Sequence, residues 1–204
     1  MPRGYRSLSF QHFTALTIVL LLAATSSVSF SDITFVVLSI PYLLLLSTIT
    51  FPPPPSSSPP PVFSAQERRL LVFYVSVGGL VGLLLPLLQI IHSLVVVGES
   101  HMIAVTAPHL FLLSAQIFLE GVSFGYGFSL PARAAVPIIY NTKRLFTIAD
   151  WVRHEVGGGV SVGFVIALAN TVFWGFNLLG FLLPVYLPRA LKLYYCDEES
   201  KKSG

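Results

Sequence analysis

Four polar residues, His109, Gln116, Glu120 and Ser123, stand seven, four and three positions apart in an otherwise apolar stretch. At 3.6 residues per turn these spacings put all four on one narrow helix face. An imidazole, a carboxamide, a carboxylate and a hydroxyl in a row could relay a proton or coordinate an ion. They could equally join neighbouring helices by hydrogen bonds. Polar groups are costly in lipid and face protein or water there, so this stripe is expected to point into a bundle. Asn170 and Asn177, two turns apart in a later apolar stretch, are the expected partners across that bundle. Glu120 falls only about 6 Å from the end of its helix if that helix stops near Phe124. So shallow a carboxylate favours packing and anchoring over transport.

One motif mimics a catalytic centre. Gly121-Val122-Ser123-Phe124-Gly125 has the G-x-S-x-G form, and Asp150 and His154 follow in the order of a hydrolase triad. The form works when the serine sits on a sharp strand-to-helix turn of an α/β sheet. Here it closes an apolar helix. Asp150 and His154, four apart on one helix, cannot approach a serine from separate loops. The sequence has no HExxH, no CxxC and no phosphate loop, so no catalytic residue, metal or cofactor is expected. The single cysteine, Cys196, excludes an intrachain disulfide. The chain is therefore read as non-enzymatic.

The elements that must position these residues follow from composition. Of 204 residues, 54 % are hydrophobic and only 10 % charged, against about 25 % charged in soluble domains. A mean hydropathy of +0.78 belongs to a chain solvated largely by lipid. The net charge of +3 is too small to point to nucleic acid. The expectation is an all-α, polytopic integral membrane protein in one domain, residues 1–204. Apolar runs predict five transmembrane helices, over 10–30, 33–51, 70–98, 102–124 and 160–187. The first also has the grammar of a signal peptide, but a second apolar run follows almost at once, which favours a retained anchor.

Between spans, residues 52–66 form a Pro/Ser-rich loop. Seven prolines in positions 52–61 favour a stiff polyproline II spacer, about 31 Å long at 3.1 Å per residue. Two glycines and two prolines between Phe124 and Tyr140 predict a loop. A basic amphipathic helix is then expected over 141–156, lying flat in the interface. Lys143, Arg144, Trp151 and Arg153 would be its membrane-surface contacts. Residues 189–204 read as a polar tail ending in Lys201-Lys202, the form of a dilysine retrieval signal for the endoplasmic reticulum.

Two sets of small residues predict close helix packing. Gly78 and Gly82 form one pair, and Gly163, Ala167, Thr171 and Gly175 form a ridge at i+4 spacing.

The segments APHLFLLSAQIFLEGVSFGYGFSLPARAAVPIIYNTKRLFTIADW and ALANTVFWGFNLLGFLLPVYLPRALKLYY resemble an uncharacterised plant family of small multi-pass membrane proteins. The resemblance implies the membrane class and a plant source, and carries no activity. The functional expectation is an interaction or organising component of an endomembrane, the endoplasmic reticulum foremost. Its partners would be membrane lipids and other membrane proteins. The alternative is a small transporter or channel subunit using the polar stripe.

Overall fold

A computed structural model of the chain describes residues 10–24, 27–53, 61–97, 101–157 and 161–202. Every regular element among them is helical. α1 spans Phe10–Ala24, α2 Phe30–Leu45, α3 Ala65–Gly79, α4 Leu85–His92, α5 His101–Gly125, α6 Leu130–Val156, α7 Val162–Phe176 and α8 Leu187–Lys202. Several run on through wider π-helical turns. Leu46–Thr50 prolongs α2, Leu80–Leu84 joins α3 to α4, and Asn177–Tyr186 joins α7 to α8.

Among the described residues, four continuous helices are long and apolar enough to cross a membrane: Phe30–Thr50, Ala65–Val95, Met102–Gly125 and Val162–Cys196. The expected first span is shorter than predicted. α1 has 15 residues, or about 22 Å at 1.5 Å per residue, against about 30 Å of hydrocarbon. It packs on α5 instead, and Gly121 makes room for it: a Cβ there would collide with the His12 ring.

Local chemistry moves several boundaries. The third span begins at Ala65 rather than 70, because Ser64 and Glu67 form a capping box. The Ser64 amide donates to Glu67 Oε2 at 2.9 Å and the Glu67 amide to Ser64 Oγ at 3.3 Å. Two otherwise orphaned backbone donors are thus satisfied reciprocally. Most of the proline tract, residues 54–60, lies outside the described residues. The expected polar tail is also helical, within α8.

The largest correction concerns residues 124–156. The predicted loop is confined to a tight turn after α5, with Gly127 at φ 68°, a left-handed conformation that suits a residue without Cβ. The chain then enters the 27-residue α6 at Leu130. Pro131 sits in the first turn, where its missing N–H costs nothing. Pro137 lies inside the helix and is tolerated in a packed bundle. α6 runs back along α5 and packs against α7 and α8. One face of it is packed into the bundle rather than left bare: Tyr140, Asn141, Arg144, Ile148 and Trp151 are each 0 % exposed.

α5 and α6 thus form the centre. In the most apolar 18-residue stretch of Met102–Gly125 61 % of residues are buried, against 17 % in the corresponding stretches of Phe30–Thr50 and Ala65–Val95. The outer helices instead carry large exposed apolar side chains, among them Leu38, Ile49, Phe73, Val95 and Val172. Contiguous apolar surface of this kind is what a lipid-facing helix presents.

Candidate functional site

The site grows from one buried cation. Arg144 has no exposure to solvent, and its guanidinium carbon lies 3.7 Å from the centroid of the Trp174 ring. Arg144 Nη1 donates to Gln116 Oε1 at 3.0 Å, and Nη2 to Asn141 Oδ1 at 3.1 Å. Gln116 Nε2 then donates to Glu120 Oε1 at 2.8 Å. The carboxamide therefore faces a cation with its oxygen and an anion with its nitrogen. An unpaired charge in a low dielectric is very costly. Arg144 is compensated by the electron-rich indole face, by two charge-assisted hydrogen bonds and by Glu120 one bond further on. Asn141 Nδ2 donates to the Trp174 carbonyl at 3.0 Å, tying α6 to α7.

On one side of this chain of bonds lies a cavity of about 950 Å³, near the upper end of the ~300–1,000 Å³ usual for small-molecule sites. Its walls come from one end of the bundle. From there they extend along α3 into the π-helical turn after it, and take in the second half of α5, the first two turns of α6, the end of α7 and the π-helical segment after α7. Leu71, Val75, Leu83, Leu113, Ile117 and Phe181 make the wall mostly apolar. Gln116, Glu120, Asn177, Tyr74, Arg68 and Arg133 are its polar members. The Tyr74 hydroxyl donates to Asn177 Oδ1 at 2.9 Å, closing one wall between α3 and the segment after α7. The Arg133 guanidinium carbon lies 4.6 Å from the centroid of the Phe124 ring.

The predicted polar stripe divides into two groups. His109 Nε2 bonds the Gly82 carbonyl at 2.8 Å, linking α5 to the π-helical turn after α3. Ser123 Oγ donates to the Glu120 carbonyl at 2.7 Å. Asn170 Nδ2 donates to the Val81 carbonyl at 3.0 Å, and its Oδ1 accepts from Trp174 Nε1 at 3.0 Å. His109 and Asn170 thus tie helices together, while Ser123 bonds within its own helix. Gln116, Glu120 and Asn177 remain as the part of the stripe that lines the cavity.

The expected surface contacts also divide. Arg144 and Trp151 are buried, so neither touches a membrane surface. Trp151 Nε1 points at Glu155 Oε1, 3.3 Å away, and Ser161 Oγ donates to Glu155 Oε2 at 2.6 Å. Lys143 forms an ion pair with Asp32 of α2 at 2.8 Å. Arg153 pairs with Asp150 on the exposed side of α6.

The two sets of small residues meet different neighbours. A Cβ on Gly82 would meet the Trp174 ring at 2.5 Å, and one on Gly78 the Phe173 ring at 3.1 Å. This glycine pair is a cradle for two aromatic side chains of α7. In the ridge on α7, Gly163 packs on Glu155 and Gln89, and Ala167 is fully buried. Gly175 has open space where a Cβ would stand, so the ridge does not continue as a packing seam to that end.

Sequence reasoning missed Asn141 and Arg144 as interior residues. Asn141, Arg144, Ile148, Trp151 and Glu155 stand three, four, three and four apart. That spacing marks one helix face and was the available signal. Arg133 and Arg68 carried no signal, because nothing in the sequence says that α3 and α6 start at the same end of one cavity.

A protein family described as a domain of unknown function (DUF7733) matches residues 8–195. The chain belongs to this family. The match covers the four long apolar helices nearly completely and includes all the described residues of the cavity and the Arg144 network. No curated protein and no solved structure matches it.

Proposed function

We propose that this DUF7733 chain is a non-enzymatic integral membrane protein that holds a small amphiphilic molecule in its cavity. The membrane itself is the nearest source of such a molecule. The observation that carries the reading is the cavity of about 950 Å³ with an apolar wall and a few grouped polar side chains, Gln116, Glu120 and Asn177. A mostly apolar concavity with a few placed polar groups is the usual form of a small-molecule site. In this reading the protein is an interaction or organising component of an endomembrane, the endoplasmic reticulum first. Lipids and other membrane proteins are its partners.

The test uses Gly79, which lines the cavity and has open space where a Cβ would stand. Gly79→Phe sets a bulky ring at the cavity wall, at a position where the added Cβ itself meets no neighbour. The full chain, purified with and without this change, is extracted and its retained lipids and metabolites identified. A defined amphiphile enriched in the native chain and lost from an equally stable Gly79→Phe variant is the expected result. Identical extracts, matching bulk lipid, would overturn the reading.

A second reading, a small transporter or channel subunit, is favoured by one observation: Gln116 and Glu120, adjacent members of the stripe, face the cavity together. It requires flux through reconstituted vesicles that Glu120→Gln changes. Unchanged flux of every responsive ion or solute would leave the carboxylate a binding and counter-charge group only.

A further inference from the structure

Resting on the cavity reading above, we infer that the occupant is an amphiphile with an anionic head group, held with its head at the Arg68–Arg133 rim and its tail along the apolar wall.

The inference follows from charge and placement. Among the described residues, three charged side chains line the cavity: Arg68, Arg133 and Glu120. Glu120 is matched from behind the wall, because Gln116 joins it to the buried Arg144. Once that pair is set aside, the described lining carries two positive charges, Arg68 and Arg133. Arg68 stands in the first turn of α3 and Arg133 in the first turn of α6. The positive ends of two helix dipoles therefore lie at the same rim as the two guanidinium groups. Glu67, the acid next to Arg68, is already engaged by Arg189 at 2.8 Å. Arginine forks suit carboxylate and phosphate oxygens.

From Arg68 the wall continues down α3 and the turn beyond it through Leu71, Val75 and Gly79 to Leu83. Fifteen residues of helix cover about 22 Å, a length that suits an extended acyl chain. Leu113 and Ile117 of α5 line the cavity opposite the rim. A polar rim with two cations and an apolar depth fits a fatty carboxylate or a lipid phosphate better than a neutral alcohol or a free inorganic anion.

The test uses three probes that share one tail: oleate, oleyl phosphate and oleyl alcohol, each radiolabelled. The full chain is placed in nanodiscs of neutral phosphatidylcholine, and empty nanodiscs correct for partition. Saturable binding of both anions about tenfold or more tighter than the alcohol is expected. Arg133→Gln should weaken the anions about tenfold and the more exposed Arg68→Gln about threefold, with the alcohol unchanged. Arg133→Lys, which keeps the charge, should retain most of the preference and controls for folding. The tighter anion tells whether a phosphate head or a free carboxylate is the better fit. Equal binding of all three probes, blocked by Gly79→Phe, would overturn the anionic inference and leave the cavity reading intact. No saturable binding of any probe would overturn both.

Discussion

The guanidinium of Arg144 stacks on the indole of Trp174, with 3.7 Å between its carbon and the ring centroid. α6 and α7 are joined at this point by a cation–π contact and, one helical turn away, by the Asn141 to Trp174 carbonyl bond. Removing Arg144 strands the Gln116 and Asn141 oxygens and leaves Glu120 without its counter-charge. Arg144→Met should therefore cost about 3–5 kcal/mol. Adding Glu120→Gln to Arg144→Met should recover part of that loss. Chemical unfolding in detergent measures both. A loss below about 1 kcal/mol would mean that the network carries little of the fold's stability.

Two neighbouring glycines should respond in opposite ways. A methyl on Gly82 meets Trp174 at 2.5 Å, whereas one on Gly79 meets nothing within 4 Å. Gly82→Ala should destabilise by about 1–3 kcal/mol through overpacking. Gly79→Ala should be neutral or stabilise by up to about 1 kcal/mol, the helix propensity gained. Equal melting temperatures for the two variants would contradict the aromatic cradle.

Ion pairs at different depths should differ in strength. Lys143 and Asp32 lie 2.8 Å apart with side-chain exposures of 23 % and 5 %, while Arg153 and Asp150 are 76 % and 73 % exposed. Double-mutant cycles with Asp32→Asn and Lys143→Met should give a coupling of about 1–3 kcal/mol. The Arg153–Asp150 cycle should give less than about 0.5 kcal/mol. Similar couplings would show that α2 is not fixed to α6 by its buried pair.

The ridge on α7 should be sensitive at one end only. Ala167 is fully buried, and Gly175 has space beside it. Ala167→Leu should unfold the chain at a much lower temperature than the parent, whereas Gly175→Leu should shift the midpoint little. Comparable loss in both would restore the continuous seam that the i+4 spacing predicts.

The long apolar helices were legible because long apolar runs have few other uses, and the boundaries that moved did so for local reasons such as the Ser64–Glu67 capping box. The polar stripe was legible as a face, since His109, Gln116, Glu120 and Ser123 keep a helical period. What the stripe did not disclose was its division. Whether a carboxamide meets a backbone carbonyl, as Asn170 does, or a cavity, as Asn177 does, depends on which helix stands opposite. α6 was misread because Pro131 and Pro137 are ordinarily helix breakers and because an arginine in an amphipathic pattern is ordinarily solvated. Both rules assume water nearby. Within a bundle, first-turn geometry excuses Pro131, and Trp174, Gln116 and Asn141 together replace part of the water that Arg144 gives up.

The central claim is that an amphiphile occupies the cavity beside Trp174. The chain's two tryptophans make this directly measurable: Trp174 lines the cavity, and Trp151 is fully buried away from it. A bromine-bearing fatty acid added to the protein in nanodiscs should quench part of the tryptophan emission saturably, with the Trp151 share left unquenched. The saturable part should vanish in Gly79→Phe. Quenching that rises without saturation, and equally in both proteins, would place the probe in the surrounding lipid and contradict the account.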